Sequence, residues 1–242
     1  MSSDDSPELL DGRRTRWQEH NQVRRQVIID AAITVMERQA PGEEVQVQSV
    51  ADEAGMSRTV IYRHFADRGD LDIAVQRQIC EDIGNTLLPS LMRDGTTEEV
   101  IRFIASAFVG WASAHPTLYW FAQRDFSGWG PSPLSQAIQQ VAETVETLMA
   151  TVVDSLGAEL TDDDRAALDP WVFGLIGGVF AGVWRWIERP VREPKPEVFV
   201  DVIKETIWVQ INGLALSRGL DVSGVHISAL VEPFALNDPE GE

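Results

Sequence analysis

Apolar side chains recur at intervals of three and four residues along almost the whole chain, the period of an α-helix, and no convincing run alternates as a strand would. Val23, Val27, Ile28, Ala31, Ala32, Val35 and Met36 predict a helix over residues 23–38, capped near His20 or Asn21 and ended by Pro41-Gly42. Val47, Val50, Ala51 and Ala54 predict a short helix, and Val60, Ile61, Tyr62 and Phe65 predict another. Gly55-Met56-Ser57 separates the two. Glycine takes a positive φ without steric cost, which suits a helix end, and a serine oxygen can cap the start of the next helix. Leu71, Ala74, Val75, Gln78, Ile79 and Ile83 predict a fourth helix from near Arg68 to Leu88, stopping before Pro89.

Further helices are predicted over residues 98–114, 117–124, 134–156, 165–188 and 197–218. Thr96 or Thr97 caps the first of these, and His115-Pro116 ends it. Residues 127–133 (SGWGPSP) read as a loop, and residues 190–196 as an interruption between the last two helices. The segment from Phe173 to Trp186 is apolar on several faces and holds Gly174, Gly177, Gly178 and Gly182, which permit close backbone approach. Together with the helix after it, this segment predicts a homodimer through residues 165–188 and 197–218, as a four-helix bundle across a two-fold axis. The fold class is all-α: an amino-terminal three-helix helix-turn-helix domain over 19–67 and a carboxy-terminal helical bundle over 68–242 for ligand binding and dimerisation. Residues 1–18 read as a flexible arm, basic at Arg13, Arg14 and Arg16 and suited to a minor groove, with a solvated charge cluster as the competing reading.

The second hairpin helix carries chemistry beyond packing. Val60, Ile61 and Phe65 supply an inner side. Ser57, Arg58, Thr59, Tyr62, Arg63 and His64 lie on or near the polar side, with Arg68 just beyond. A guanidinium reaches a guanine edge with two hydrogen bonds or grips a phosphate, and hydroxyl groups bind phosphate oxygens. A surface hairpin that touches nothing is the competing reading of the same residue types.

The run VADEAGMSRTVIYRHFADRGDL, residues 50–71, resembles the amino-terminal domain of TetR-family transcriptional regulators. The matching features are Val50-Ala51, Ala54-Gly55-Met56-Ser57, Tyr62-Arg63-His64-Phe65, Arg68 and Asp70-Leu71, and the resemblance spans residues 23–73. Two positions depart from the family pattern: Gln46 stands where threonine is usual, and Arg68 where lysine is. The resemblance implies a DNA face of Gln46, Ser57, Arg58, Thr59, Tyr62, Arg63, His64 and Arg68, with Arg58, Thr59 and Arg63 on base edges and Tyr62, His64 and Arg68 on phosphates. It also implies a palindromic double-stranded operator, dimerisation through the last two long helices, and a fourth helix that moves when ligand binds.

Charge sharpens this picture. The net charge of −18 opposes nucleic acid as a whole, but residues 12–68 hold nine arginines against eight acidic side chains, near +1, while the segment after them is strongly acidic. One cysteine, Cys80, excludes an intrachain disulfide and fits a reducing cytoplasm. No signal peptide is visible, and the longest uncharged apolar run, residues 170–184, is short for a bilayer span, so no membrane role is expected. No phosphate loop, nucleophile elbow or dinucleotide fingerprint occurs, and the four histidines show no metal spacing, so no catalytic residue, metal or cofactor is expected.

Aromatic residues crowd the larger domain. Trp111, Trp120, Phe121, Phe173, Phe180 and Trp184, with Arg124 to orient a ligand, are the candidate effector pocket. Solid core is the competing role for each ring. The chain therefore reads as a ligand-responsive DNA-binding regulator, a repressor released by a small apolar or aromatic molecule. The alternative is a helical small-molecule-binding or interaction protein that has lost DNA binding.

Overall fold

The computed structural model describes residues 7–91, 93–124, 130–158 and 160–226, with backbone only for residues 7–19. Among the described residues the elements are α1 Pro7–Glu37, α2 Val47–Glu53, α3 Arg58–His64, α4 Arg68–Leu91, α5 Thr97–Ala114, α6 Pro116–Ala122, α7 Pro133–Ser155, α8 Asp162–Ile187 and α9 Pro196–Leu216. An isolated antiparallel bridge, Thr96 to His226, is the only strand-like feature among them.

Several boundaries follow from local chemistry. Thr96 accepts a hydrogen bond from the Glu99 amide while the Glu99 carboxylate accepts from the Thr96 amide, a capping box that opens α5 and holds Glu99 below the usual carboxylate range. Thr161 and Asp164 repeat the device at α8. Two expectations need correction. α1 begins at Pro7, so the backbone from there to residue 18, expected as a flexible arm, is helical; residues 8–22 are rich in Leu, Arg, Gln and Glu, which sustain a helix without an apolar stripe. α4 does not stop before Pro89 but runs through it to Leu91, with the proline in its last turn, where few bonds remain to lose. The short apolar piece over residues 226–234 lies, beyond His226, outside the described residues.

α1, α2 and α3 close on Ile28, Ala32, Val35, Val50, Ala51, Ile61 and Phe65, all buried. This core runs on without a break through α4 into α5, α6 and the start of α9. The seam between α4 and α6 is polar. Gln76, fully buried on α4, aims its amide nitrogen at the carbonyls of Phe121 (3.4 Å), Ala122 (2.8 Å) and Arg124 (2.6 Å) at the end of α6. α6 also meets the smaller domain directly, through Thr117 donating to the Gln39 carbonyl at 2.9 Å, while His115 pairs with Glu37 at 2.6 Å.

α8 and α9 run antiparallel and touch at both ends. Trp186 stacks on Phe199 with ring centroids 5.1 Å apart, and Arg218 pairs with Asp164. Between those ends, Gly174, Gly177, Gly178 and Gly182 face open space, with no atom within 4 Å of where a β-carbon would stand. α8 is long and apolar enough to cross a bilayer by composition, with a mean hydropathy of 1.6 over its most apolar window, of which only 17% is buried within this chain.

Candidate functional site

α3 is held by its inner side. Ile61 is fully buried and Phe65 follows at 1% exposure, so Arg58, Thr59, Tyr62 and Arg63 are left on the outside. The turn before it sets this orientation. Gly55 takes φ +63°, the Met56 amide donates to the Ala51 carbonyl at 2.9 Å, and the Gly55 amide donates to Asp52 at 3.2 Å. That pair of bonds is the Schellman ending, which needs a left-handed residue at this position. Ser57, expected to cap α3 with its side chain, has the extended backbone of a cap residue (φ −88°, ψ 156°) but makes no such bond; its hydroxyl is exposed. Gln46 stands in the same relation to α2.

Two members of the expected DNA face are tied inward. Arg68 donates from Nε to Asp72 at 2.8 Å and from Nη1 to the Val45 carbonyl at 2.6 Å, anchoring the start of α4 to the loop that leads into α2. Asp72 is buried, and burial raises its pKa while the Arg68 hydrogen bond and charge oppose that. His64 is half-buried, with an enclosed Nδ1 that has no hydrogen-bond partner. Burial, then the charges of Arg24 and Arg25, lower its pKa, which makes it a neutral ring at neutral pH and a poor partner for a phosphate charge. Arg25 donates to the His64 carbonyl and lies 4.0 Å above the Phe65 ring, locking the end of α3 to α1. Arg38 grips Glu53 with two hydrogen bonds and does the same for α2. The outward set is therefore Gln46, Ser57, Arg58, Thr59, Tyr62 and Arg63, while His64 and Arg68 position it.

The candidate pocket residues do not form one pocket, and three of them pack into an aromatic cluster. Phe108, Tyr119 and Phe180 meet ring to ring, with Trp111 and Trp184 against Tyr119. The Tyr119 hydroxyl, pushed well above its ordinary pKa by burial, donates to the Phe180 carbonyl at 2.7 Å. Phe121 is buried, Trp120 is half-buried with Arg124 4.9 Å over its ring, and Phe173 is exposed. The structure brings Trp111, Phe180 and Trp184 together around Tyr119. None of the seven candidates lines the partly open apolar cavity of about 260 Å³ that lies farther along the bundle.

That cavity was missed in the sequence. Val100, Ile104, Met149, Leu168, Trp171 and Leu214 are among its walls, drawn from α5, α7, α8 and α9, and Leu91 closes it from the end of α4. Its walls come from apolar stripes, among them that of α7, of which Val145, Leu148, Met149 and Val152 face the cavity. Among the described residues no cluster of side chains suited to a metal ion occurs.

Residues 28–75 match the family model of bacterial regulatory proteins of the tetR family. An uncharacterized HTH-type transcriptional regulator of Mycobacterium tuberculosis is 24% identical over 213 residues, 86% of each chain. Residues 28–75 thus resemble the DNA-binding domain of TetR-family regulators, and the chain is similar to such regulators over most of its length. Solved TetR-family structures share the fold. A tetR-family transcriptional regulator from Streptomyces coelicolor superposes with a TM-score of 0.57 at 18% identity, over 90% of this chain and 93% of that one. FadR from Bacillus subtilis, solved in complex with stearoyl-CoA, gives 0.56 at 17% identity, over 83% and 99%. The matched segment contains the whole α2–α3 hairpin, and the similar curated protein is itself described as a transcriptional regulator.

Proposed function

We propose that this chain is a TetR-type regulator, a cytoplasmic repressor that binds a palindromic double-stranded operator as a homodimer and leaves it when a small molecule fills the carboxy-terminal cavity. The observation that carries this reading is the two-sidedness of α3: Ile61 wholly buried, and Arg58, Thr59, Tyr62 and Arg63 exposed on the opposite side. Arg58, Thr59 and Arg63 read base edges, and Gln46, Ser57 and Tyr62 bind phosphate oxygens. Two such helices reach successive major grooves only when the dimer holds them about 34–36 Å apart.

Dimerisation rests on α8 and α9. Phe173, Val198, Val202, Val209 and Leu216 are exposed apolar side chains on these helices, and the α8 glycines leave room for a second backbone. A second copy of this chain covers that face, and with it the apolar length of α8.

α4 links effector to operator. At about 1.5 Å per residue its 24 residues span roughly 36 Å. Its first residue, Arg68, holds the loop before α2, and its last, Leu91, lines the cavity. A molecule that binds one tilt of α4 better than the other shifts the spacing of the two α3 helices, and it shifts it only by that difference in affinity. The stearoyl-CoA complex of the similar FadR supports a ligand-binding role for the bundle.

A gel-shift titration against the DNA upstream of the protein's own gene tests the reading. Retardation by the wild type, and its loss in Arg58→Ala/Arg63→Ala, is the expected result. A folded dimer that retards neither this DNA nor any genomic fragment would favour the alternative, a helical small-molecule-binding protein without DNA function.

A further inference from the structure

The cavity wall is aliphatic. Valine, leucine, isoleucine, methionine and alanine make nearly all of it, and its one aromatic ring is Trp171. Its polar side chains are Thr97, Asp164 and Arg218, and each spends its bonds inside the protein. Arg218 donates to Asp164, to the Leu214 carbonyl at 3.2 Å and to the Ser217 hydroxyl at 3.0 Å. Asp164 also accepts from the Thr161 hydroxyl at 2.7 Å. Thr97 donates to the Val225 carbonyl at 3.2 Å.

These facts select a ligand. A charged group entering the cavity would give up its water and meet no partner, because the one ion pair on the wall is already internally neutralised. An aromatic molecule would find only Trp171 to stack on, since no other ring lines the cavity. A flexible hydrocarbon chain meets neither difficulty. It adapts to a wall of branched side chains, and its burial is favoured by roughly 0.8 kcal/mol per methylene.

Building on the effector-binding reading above, we infer that the effector enters this cavity with an uncharged aliphatic chain, and that any charged head group it carries stays outside. The recognised class is alkyl and acyl molecules, not aromatic acids or planar ring compounds.

Calorimetric titration of the full-length protein with 1-decanol and with naphthalene, which have the same number of carbons, tests this. The expected result is that 1-decanol binds at least about tenfold more tightly than naphthalene. Val152→Phe and Ala215→Phe, each placing a ring in the cavity, should weaken 1-decanol by a similar factor while the helical circular dichroism stays that of the wild type. Naphthalene binding as well as or better than 1-decanol overturns the inference, and so does 1-decanol binding that both ring-filling variants leave unchanged. Gel shifts on the same preparations separate this from the regulator reading. DNA binding without 1-decanol binding removes the ligand class alone, and 1-decanol binding without DNA binding removes the operator alone.

Discussion

Arg68 Nη1 lies 2.6 Å from the backbone carbonyl of Val45, a hydrogen bond between residues 23 positions apart that fixes α4 to the entry of the helix-turn-helix. With its second bond, to the buried Asp72, it makes this arginine a fastening of the domain. Hydrogen bonds to charged groups contribute about 1.5–3 kcal/mol, and removing the arginine also leaves Asp72 without its partner. Arg68→Ala should cost stability of that order in urea denaturation. Arg68→Lys should recover only part of it, since an ammonium cannot reproduce the two-pronged geometry. The salt dependence of DNA affinity should stay nearly as in the wild type, because no phosphate contact is lost.

Arg63 should behave in the opposite way. Arg63→Ala leaves the core untouched, because the side chain is exposed. Its cost should appear in DNA binding, at roughly 1–3 kcal/mol with relaxed preference at one base pair. A loss uniform across operator variants, with a shallower salt slope, would reassign the residue to phosphate.

Gly55 offers a test of the turn alone. A β-carbon there would meet no atom within 4 Å, so the only penalty of Gly55→Ala is the left-handed backbone at φ +63°. That penalty is about 1–2 kcal/mol. Gly55→Asn should be milder, since asparagine tolerates this region. Equal stability of glycine and alanine variants by chemical denaturation would mean that the turn relaxes.

His64 gives the small domain a pH dependence. Its folded-state pKa is lowered by burial and by Arg24 and Arg25. The unfolded chain therefore takes up a proton at higher pH than the folded one. The stability at stake is present above the ordinary histidine value, about 6.5, and is lost as pH falls through and below it. Urea midpoints should drop on going from about pH 7 to about pH 5, and His64→Gln should flatten that part of the drop. An unchanged profile in His64→Gln would place the dependence elsewhere.

The dimer prediction concerns α9. Val202 and Val209 are 51% and 57% exposed on a helix that buries only Val200 and Ile203 fully within its own chain. Val202→Glu/Val209→Glu should shift the protein toward monomer in analytical ultracentrifugation and abolish operator binding without touching α3. A variant that remains dimeric would move the interface off this face.

Much of this architecture could be read from residue order alone. Gly55, Thr96 and His115-Pro116 act locally, through backbone geometry that depends on near neighbours, and each marks a boundary seen in the structure. The outward row of α3 was legible for the same reason, since Ile61 and Phe65 fix the phase of one short helix. What was not legible depends on distance across the fold. Arg68 looked like a phosphate ligand until the Val45 carbonyl and Asp72 were seen beside it. The aromatic residues looked like a pocket, but Tyr119 gathers Trp111, Phe180 and Trp184 into a packed cluster and Phe173 lies at the surface. The real cavity is walled by ordinary stripe residues from five helices, and periodicity cannot distinguish a valine facing a void from a valine facing a neighbour.

The seam at Gln76 has one more implication. An amide nitrogen carries two hydrogens, and this one faces three carbonyls at the end of α6. One acceptor must always be served poorly, and exchanging it for another leaves the tally of bonds unchanged. A slide of a few tenths of an ångström between α4 and α6 therefore meets almost no resistance from hydrogen bonding, although the surrounding apolar packing resists larger travel. These bonds thus keep α4 beside α6 without selecting one exact register, which the apolar neighbours must supply.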